Sequence, residues 1–169
     1  MRQKEKNPFL LSGYINPDFF CNRMPETEKI VNAITNGRNL TLISPRRMGK
    51  TGLIYHAFHF MKNDFKCYYL DIYQTQSLSD FVLLFANAVV GTLDSSSQKI
   101  ISKVFSFFKS IRPVLTTDEL TGSPRLTVDF AKEKTEDSLK EIFAYLADSG
   151  LNCCIAIDEF QQITNYPEK

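Results

Sequence analysis

The feature that most constrains the fold is the run Leu40–Leu53, in which a short apolar segment leads through a polar loop into a helical pattern. A strand, a loop and a helix in this order can cradle a phosphate, because the N–H groups of the loop and of the helix N-terminus favour negative charge. Lys50 would reach the β- and γ-phosphates of a nucleotide, and Thr51 would ligate Mg²⁺. The usual pattern, G-x-x-x-x-G-K-[ST], fails at one position, where Ser44 replaces the first glycine. Gly49 is expected beside the phosphates, where a Cβ would obstruct them.

The loop residues together form the predicted nucleotide-binding set. Two adjacent arginines, Arg46 and Arg47, lie within it, and they could clamp phosphate, contact a neighbouring subunit or merely solvate an exposed turn. We favour a role near the nucleotide. The set expected to contact the nucleotide is Ser44, Pro45, Arg46, Arg47, Met48, Gly49, Lys50, Thr51 and Gly52.

A second motif lies far downstream, where the apolar run Cys153–Ile157 ends in two adjacent acids. Such a run is typical of a buried parallel strand, and ligands of open α/β sheets bind at the carboxyl ends of the strands. Asp158 is then placed to hold Mg²⁺, and Glu159 to orient and deprotonate a water molecule. For this dipeptide alone a solvated strand end is an equal alternative. The phosphate-type loop upstream favours the catalytic interpretation.

Composition limits the class of protein. The chain has 169 residues, of which 43% are hydrophobic and 23% charged, so it can form one globular domain with a substantial core. The net charge of +1 gives no basic excess of the kind that nucleic-acid-binding domains show. The four cysteines, Cys21, Cys67, Cys153 and Cys154, lack a metal-type spacing and indicate a reducing compartment, and no signal peptide or membrane span is visible. We therefore expect a cytoplasmic protein.

The remaining pattern predicts an α/β domain with a mostly parallel sheet. Residues 1–19 are expected to form an arm that docks through Phe9, Leu10 and Tyr14, and residues 20–169 the core. The predicted helices are Pro25–Ile34, Lys50–Met61, Leu78–Leu93, Ser97–Ile111 and one from Thr135 to a stop at Gly150. The predicted strands are Asn39–Ile43, Phe65–Ile72 and Cys153–Ile157, with a small hairpin that pairs Val114 and Leu115 with residues 126–128.

Two further groups of side chains each have a structural and a functional interpretation. His56 and His59 could ligate a metal, but no third ligand of matching spacing is visible, so packed or surface histidines are the favoured interpretation. The phenylalanines Phe105, Phe107 and Phe108 could stack nucleic-acid bases, but a role in the core or in a covered surface is favoured.

An ordered set of motifs along the chain resembles a known family. The motifs are Phe20-Cys-Asn-Arg23 with Glu28, Ser44-Pro-Arg-Arg-Met-Gly-Lys-Thr51, Tyr69-Leu-Asp71 with Thr75 and Leu78, and Ile157-Asp-Glu-Phe-Gln161. From Phe19 onward this resembles the N-terminal half of prokaryotic AAA+-type ATPases of the archaeal-type or STAND-like group. The resemblance implies a three-layer αβα P-loop core that binds ATP-Mg²⁺ and couples hydrolysis to conformational change. It also implies that Arg23 lines the adenine side of the site, although Arg23 could equally be a residue that only begins a helix.

The resemblance implies more sheet strands than the chain supplies. Family members continue beyond the acidic strand with a fourth strand, a fifth strand and a helical lid. The fourth strand would lie between Asn39–Ile43 and Cys153–Ile157. We therefore expect an incomplete core with weak turnover, which rearranges or swaps strands with a second copy, because unpaired strand edges are costly. A non-hydrolysing ATP sensor and a nucleic-acid-associated ATPase remain alternatives, and the protein client is unknown.

Overall fold

A computed structural model of the chain describes residues 13–45, 47–92, 106–117 and 124–168. The contacts divide the chain into two compact units, residues 1–67 and residues 68–169. The chain is a mixed α/β protein, so the predicted class is confirmed at that level. Each unit is described by itself below.

The first unit contains two helices that pack on each other, α1 (Met24–Thr35) and α2 (Lys50–Met61). Pro25 lies in the first turn of α1, and the chain turns away after the helix through Gly37 at φ 67°. A short 3₁₀ helix, Pro17–Phe19, precedes α1. Both predicted helices of this unit are confirmed. Their buried residues are Thr27, Ile30, Leu53, Ile54, His56, Ala57 and Met61.

The predicted first strand, Asn39–Ile43, is wrong. This segment has no regular secondary structure, and its apolar side chains are exposed, Leu40 by 48% and Ile43 by 91%. No backbone hydrogen bond joins it to any described residue. A strand requires a neighbour for its N–H and C=O groups, so apolar side chains alone did not produce one here.

The parallel sheet of the second unit has two strands, β1 (Lys66–Asp71) and β4 (Cys153–Asp158). The boundary between the two units falls within β1, after Cys67. Two helices accompany the two strands, α3 (Leu78–Val90) and α4 (Thr135–Asp148). Ser77 caps α3 by accepting a hydrogen bond from the Asp80 N–H. The second strand, the α3 and α4 helices and the acidic strand are therefore confirmed.

An antiparallel hairpin forms a separate two-stranded sheet in this unit. Its strands are β2 (Ile111–Thr117) and β3 (Pro124–Phe130), with Val114 opposite Thr127. The predicted hairpin is confirmed and is longer than expected. The predicted helix Ser97–Ile111 lies mostly outside the described residues, but its predicted end is wrong because Ile111 begins β2.

The core of the second unit lies on one face of the parallel sheet. β1 contributes Tyr68 and Leu70 to this core, and residues of α3, α4 and the hairpin complete it. Phe108 is buried in it and Phe107 packs against it, as the favoured interpretation predicted, whereas Phe105 lies outside the described residues. No helix in the described part of the chain is long and apolar enough to cross a membrane.

Candidate functional site

The loop before α2 contains a backbone conformation that favours glycine at position 49. Gly49 lies in the left-handed region at φ 70° and ψ 30°, and α2 begins at the next residue, Lys50. The Lys50 ammonium folds back and donates a hydrogen bond of 3.2 Å to the carbonyl oxygen of Ser44. A Cβ on Gly49 would meet nothing within 4 Å, so here the positive φ, rather than crowding, is what requires glycine.

The other loop side chains lie at the surface. Pro45, Arg47 and Met48 are exposed, and Arg47 also adopts a left-handed conformation at φ 62°. Thr51 is exposed in the first turn of α2. Arg46 lies outside the described residues. Exposed side chains around a helix N-terminus leave this loop accessible to an anion.

Arg23 begins α1. It lies in the left-handed region at φ 65° and ψ 25°, and its carbonyl oxygen accepts hydrogen bonds from the N–H of Thr27 at 3.0 Å and from the Thr27 hydroxyl at 2.9 Å. Thr27 is only 2% exposed. This geometry supports the interpretation of Arg23 as a helix-initiating residue, and contact with a nucleotide remains a prediction.

An aromatic cluster joins the segment before α1 to helix α2 and consists of Tyr14, Phe20, Tyr55, His56 and Phe60. The rings of Phe20 and His56 stack with their centroids 4.0 Å apart, and Phe60 meets His56 edge-on at 5.1 Å. Tyr14 Oη shares a hydrogen bond of 3.2 Å with His56 Nδ1. Tyr14 therefore docks the segment as expected, whereas Phe9 and Leu10 lie outside the described residues.

His56 is a packed residue in this cluster. It is 2% exposed, and its Nε2 has no hydrogen-bond partner among the described residues. Burial, with a smaller contribution from His59, lowers the pKa of His56. Burial raises the pKa of Tyr14, which keeps the hydroxyl protonated at neutral pH. The cluster thus favours a neutral imidazole.

The two acids lie where the sequence predicts, at and just beyond the end of β4. Asp158 Oδ1 accepts a hydrogen bond of 3.0 Å from the Glu159 N–H, and Oδ2 accepts one of 2.7 Å from Tyr69 Oη. Glu159 adopts a left-handed conformation at φ 56° and ψ 37°, and its carboxylate accepts a hydrogen bond from the side-chain amide of Gln161. A non-glycine residue at positive φ is uncommon, and such residues cluster at functional sites.

Two partners of the acids, Tyr69 and Gln161, were not predicted as site residues. Each stands within a motif that carried the resemblance, but neither has a local signal of its own. Asp71, by contrast, accepts a hydrogen bond of 3.0 Å from the Tyr73 N–H, so it caps the turn after β1. It also lines an open cleft of about 510 Å³ beside α3.

The oxygen donors of the predicted site suit Mg²⁺ in kind. In the described residues no three or more His, Cys, Asp or Glu side chains form a metal-binding group. A nucleotide-bound Mg²⁺ needs no such cage, because it keeps waters and takes one or two protein oxygens together with phosphate oxygens. The Thr51 hydroxyl and the Asp158 carboxylate are donors of this type. They belong to different units, 1–67 and 68–169.

Comparison of the chain with protein-family models, with curated proteins and with solved structures found no match in any of the three. The functional interpretation therefore depends on the residues and on the geometry described above.

Proposed function

We propose that this chain is the ATP-binding part of a P-loop ATPase, in which binding and hydrolysis of ATP-Mg²⁺ drive a conformational change. The observation that carries this proposal is the turn at Gly49. The positive φ of Gly49 leads directly into α2, and the Lys50 ammonium lies against the carbonyl oxygen of Ser44. A helix N-terminus with a lysine folded over the preceding loop is suited to bind a polyphosphate.

In this proposal the residues of the loop divide the work of phosphate binding. The N–H groups that follow Gly49 donate to phosphate oxygens, and Lys50 exchanges its bond to Ser44 for one to the β- and γ-phosphates. Thr51 supplies a hydroxyl ligand to Mg²⁺. When bound, Mg²⁺ would neutralise charge that develops on the phosphate oxygens.

The acidic pair supplies the other half of the chemistry. Asp158 is oriented by donors on both of its oxygens, and Glu159 lies one residue further, at the start of the 3₁₀ helix Phe160–Asn165. We assign Asp158 to the metal side and Glu159 to the water, whose proton its carboxylate would accept.

The proposal also includes a more specific fold, the P-loop core, and a cytoplasmic location. The finer fold that goes with this proposal is a three-layer αβα P-loop core. No disulfide bond joins the four cysteines, all of which lie in the described part of the chain, and this fits the reducing cytoplasm.

A release assay for inorganic phosphate, run beside ATP titration calorimetry, tests the catalytic role of Glu159. We expect Glu159→Gln to lower phosphate release by about 10²-fold or more, because a general base contributes about that much, while ATP binding persists. Glu133→Gln, at an exposed glutamate, is the matched control and should change neither quantity.

One observation favours a second candidate, a non-hydrolysing ATP sensor. The Gln161 side-chain amide donates a hydrogen bond to the Glu159 carboxylate, the group that would activate water in an ATPase. If wild type binds ATP but releases phosphate no faster than Glu159→Gln, the sensor is correct and the ATPase assignment is wrong.

A further inference from the structure

Thr75, in the turn after β1, holds the 3₁₀ helix Phe160–Asn165 at both ends. The side-chain amide of Gln162, in the first turn of this helix, donates a hydrogen bond of 2.9 Å to the carbonyl oxygen of Thr75. The hydroxyl of Tyr166, which directly follows the helix, is hydrogen-bonded to the hydroxyl of Thr75. Thr75 and Tyr166 are 7% and 5% exposed, so this second bond is buried. One threonine thus joins two distant parts of the second unit.

The hydroxyl of Thr75 has a defined role in each of its two hydrogen bonds. It donates a bond of 2.6 Å to the carbonyl oxygen of Ile72, which also accepts the Thr75 N–H at 3.1 Å. A hydroxyl has one hydrogen atom to donate and lone pairs through which it accepts. Because that hydrogen is donated to Ile72, Tyr166 is the donor in the other bond. Valine at position 75 would keep the shape of the side chain but would leave the buried Tyr166 hydroxyl without this acceptor.

The helix held by Thr75 follows directly after Glu159, which has an uncommon backbone conformation. Glu159 lies at φ 56° and ψ 37°, and its carbonyl oxygen accepts a hydrogen bond of 2.9 Å from the N–H of Gln162. On the other side of Glu159, the carbonyl oxygen of Asp158 accepts the N–H of Ile72 at 3.3 Å. A non-glycine residue stays in the left-handed region only where its surroundings hold it there. The turn after β1 supplies such contacts on both sides of Glu159.

We propose that Thr75 is a positioning residue, whose hydrogen bonds to the 3₁₀ helix fix the Glu159 backbone and so aim the carboxylate that activates water. The inference rests on the proposed function, in which Glu159 is the general base. All of the contacts that carry it lie within the second unit. A displacement of about 1 Å can lower a reaction rate by about 10²-fold. Loss of the Thr75 hydroxyl should therefore lower kcat for ATP hydrolysis, while KM should hardly change because the proposed phosphate contacts belong to the loop before α2.

The test uses Thr75→Val in the full chain, and Thr135→Val is the matched control. Thr135 is 8% exposed, and its hydroxyl also donates a bond of 2.6 Å to the carbonyl oxygen three residues earlier, that of Lys132. Phosphate release measured at a series of ATP concentrations gives kcat and KM. We expect Thr75→Val to lower kcat by about tenfold or more and to change KM by less than about twofold. Thr75→Ser, which keeps the hydroxyl, and Thr135→Val should both leave kcat within about twofold of wild type.

Amide hydrogen exchange gives a readout that does not depend on hydrolysis. The N–H of Gln162 is bonded to the carbonyl oxygen of Glu159, so its exchange reports on the turn that carries Glu159. We expect Thr75→Val, but not Thr135→Val, to speed this exchange by about tenfold or more. Tyr166→Phe removes the donor of the same buried bond, so it should match Thr75→Val and add nothing to it. Tyr166→Phe also carries the test if Thr75→Val fails to fold.

The double variant checks that Thr75 acts through Glu159. In Glu159→Gln, where the base is already absent, Thr75→Val should cause no further fall in kcat. A further fall would overturn the positioning role while the proposed function stands. Unchanged kcat in Thr75→Val and Tyr166→Phe would overturn it as well, even if both variants were less stable than wild type. Phosphate release by wild type no faster than by Glu159→Gln would overturn the ATPase assignment, and this inference with it.

Discussion

Acidification should destabilise the chain through His56. This imidazole is 2% exposed within the aromatic cluster, and its Nε2 lacks a partner among the described residues. Because burial lowers the pKa of folded His56, the unfolded chain takes up a proton at a pH where the folded chain does not. The contribution of His56 to stability is therefore complete above about pH 7.5, and it is lost as the pH falls through the unfolded pKa toward the lower folded one.

The size of the effect follows from the unfolded state. An unperturbed imidazole has a pKa of about 6.5, so it goes from about one-tenth protonated at pH 7.5 to about nine-tenths protonated at pH 5.5. If folded His56 remains neutral, the free energy of unfolding falls by about 1.4 kcal/mol over this interval. That value is the upper limit for one residue, because partial protonation of folded His56 would reduce it.

Urea unfolding at pH 7.5, 6.5 and 5.5 measures this effect in wild type, His56→Leu and His59→Gln. We expect wild type to lose more stability than His56→Leu between the highest and lowest pH, by at most about 1.4 kcal/mol. His59→Gln, on the same helix, should retain most of the pH dependence of wild type. Equal pH dependence of the free energy of unfolding in wild type and His56→Leu would refute the reasoning. Loss of the pH dependence in His59→Gln, with the pH dependence retained in His56→Leu, would refute it as well.

Three further substitutions test the core, the loop and the exposed segment between α1 and α2. Leu70→Ala, at a residue 1% exposed, should lower the free energy of unfolding by about 2–5 kcal/mol, whereas Leu151→Ala, 61% exposed, should cost less than about 0.5 kcal/mol in the same urea assay. Because Gly49 has a positive φ, Gly49→Ala should lower the free energy of unfolding by about 1 kcal/mol and weaken ATP binding. Gly13 has no positive φ, so Gly13→Ala should change neither quantity. Equal effects of the two substitutions would contradict the conformational argument. The sequence predicts that the incomplete core rearranges or swaps strands with a second copy. If the exposed segment takes part in a swap, Leu42→Lys should reduce concentration-dependent association in light scattering and Leu151→Lys should not; an unchanged mass would contradict that role.

The helices and the acidic strand were predictable because their signals are local. Pro25 and the acids after it mark the start of α1, and Ser77 caps α3. Gly150, which has a φ of 67°, follows the end of α4 at Asp148. Cap and turn residues act within a few positions of the backbone that they fix, so the sequence contains their whole effect.

The segment Asn39–Ile43 was not predictable by the same means. Its alternation of apolar residues suits a strand, but a strand forms only when another strand satisfies its backbone groups. That requirement is non-local, and no described residue meets it.

The position of the two acids at the end of β4 was predictable, but their contacts were not. Asp158 and Glu159 were identified from the end of an apolar run, whereas the bond from Tyr69 depends on the register of two distant strands. The left-handed conformation of Glu159 and its contact with Gln161 follow from the turn that ends β4, and no residue type in that turn demands a positive φ.

Calorimetric titration of ATP-Mg²⁺ tests the proposed nucleotide site most directly, with the molar mass measured by light scattering in the same buffer. The variants are Lys50→Ala and, as the matched control, Lys62→Ala at the exposed C-terminal end of the same helix. We expect saturable binding by wild type and Lys62→Ala, and its loss in Lys50→Ala, because in the proposed site the Lys50 ammonium would contact the phosphates. Absence of binding by folded wild type, or equally tight binding by Lys50→Ala, would contradict the assignment of this loop as a nucleotide site.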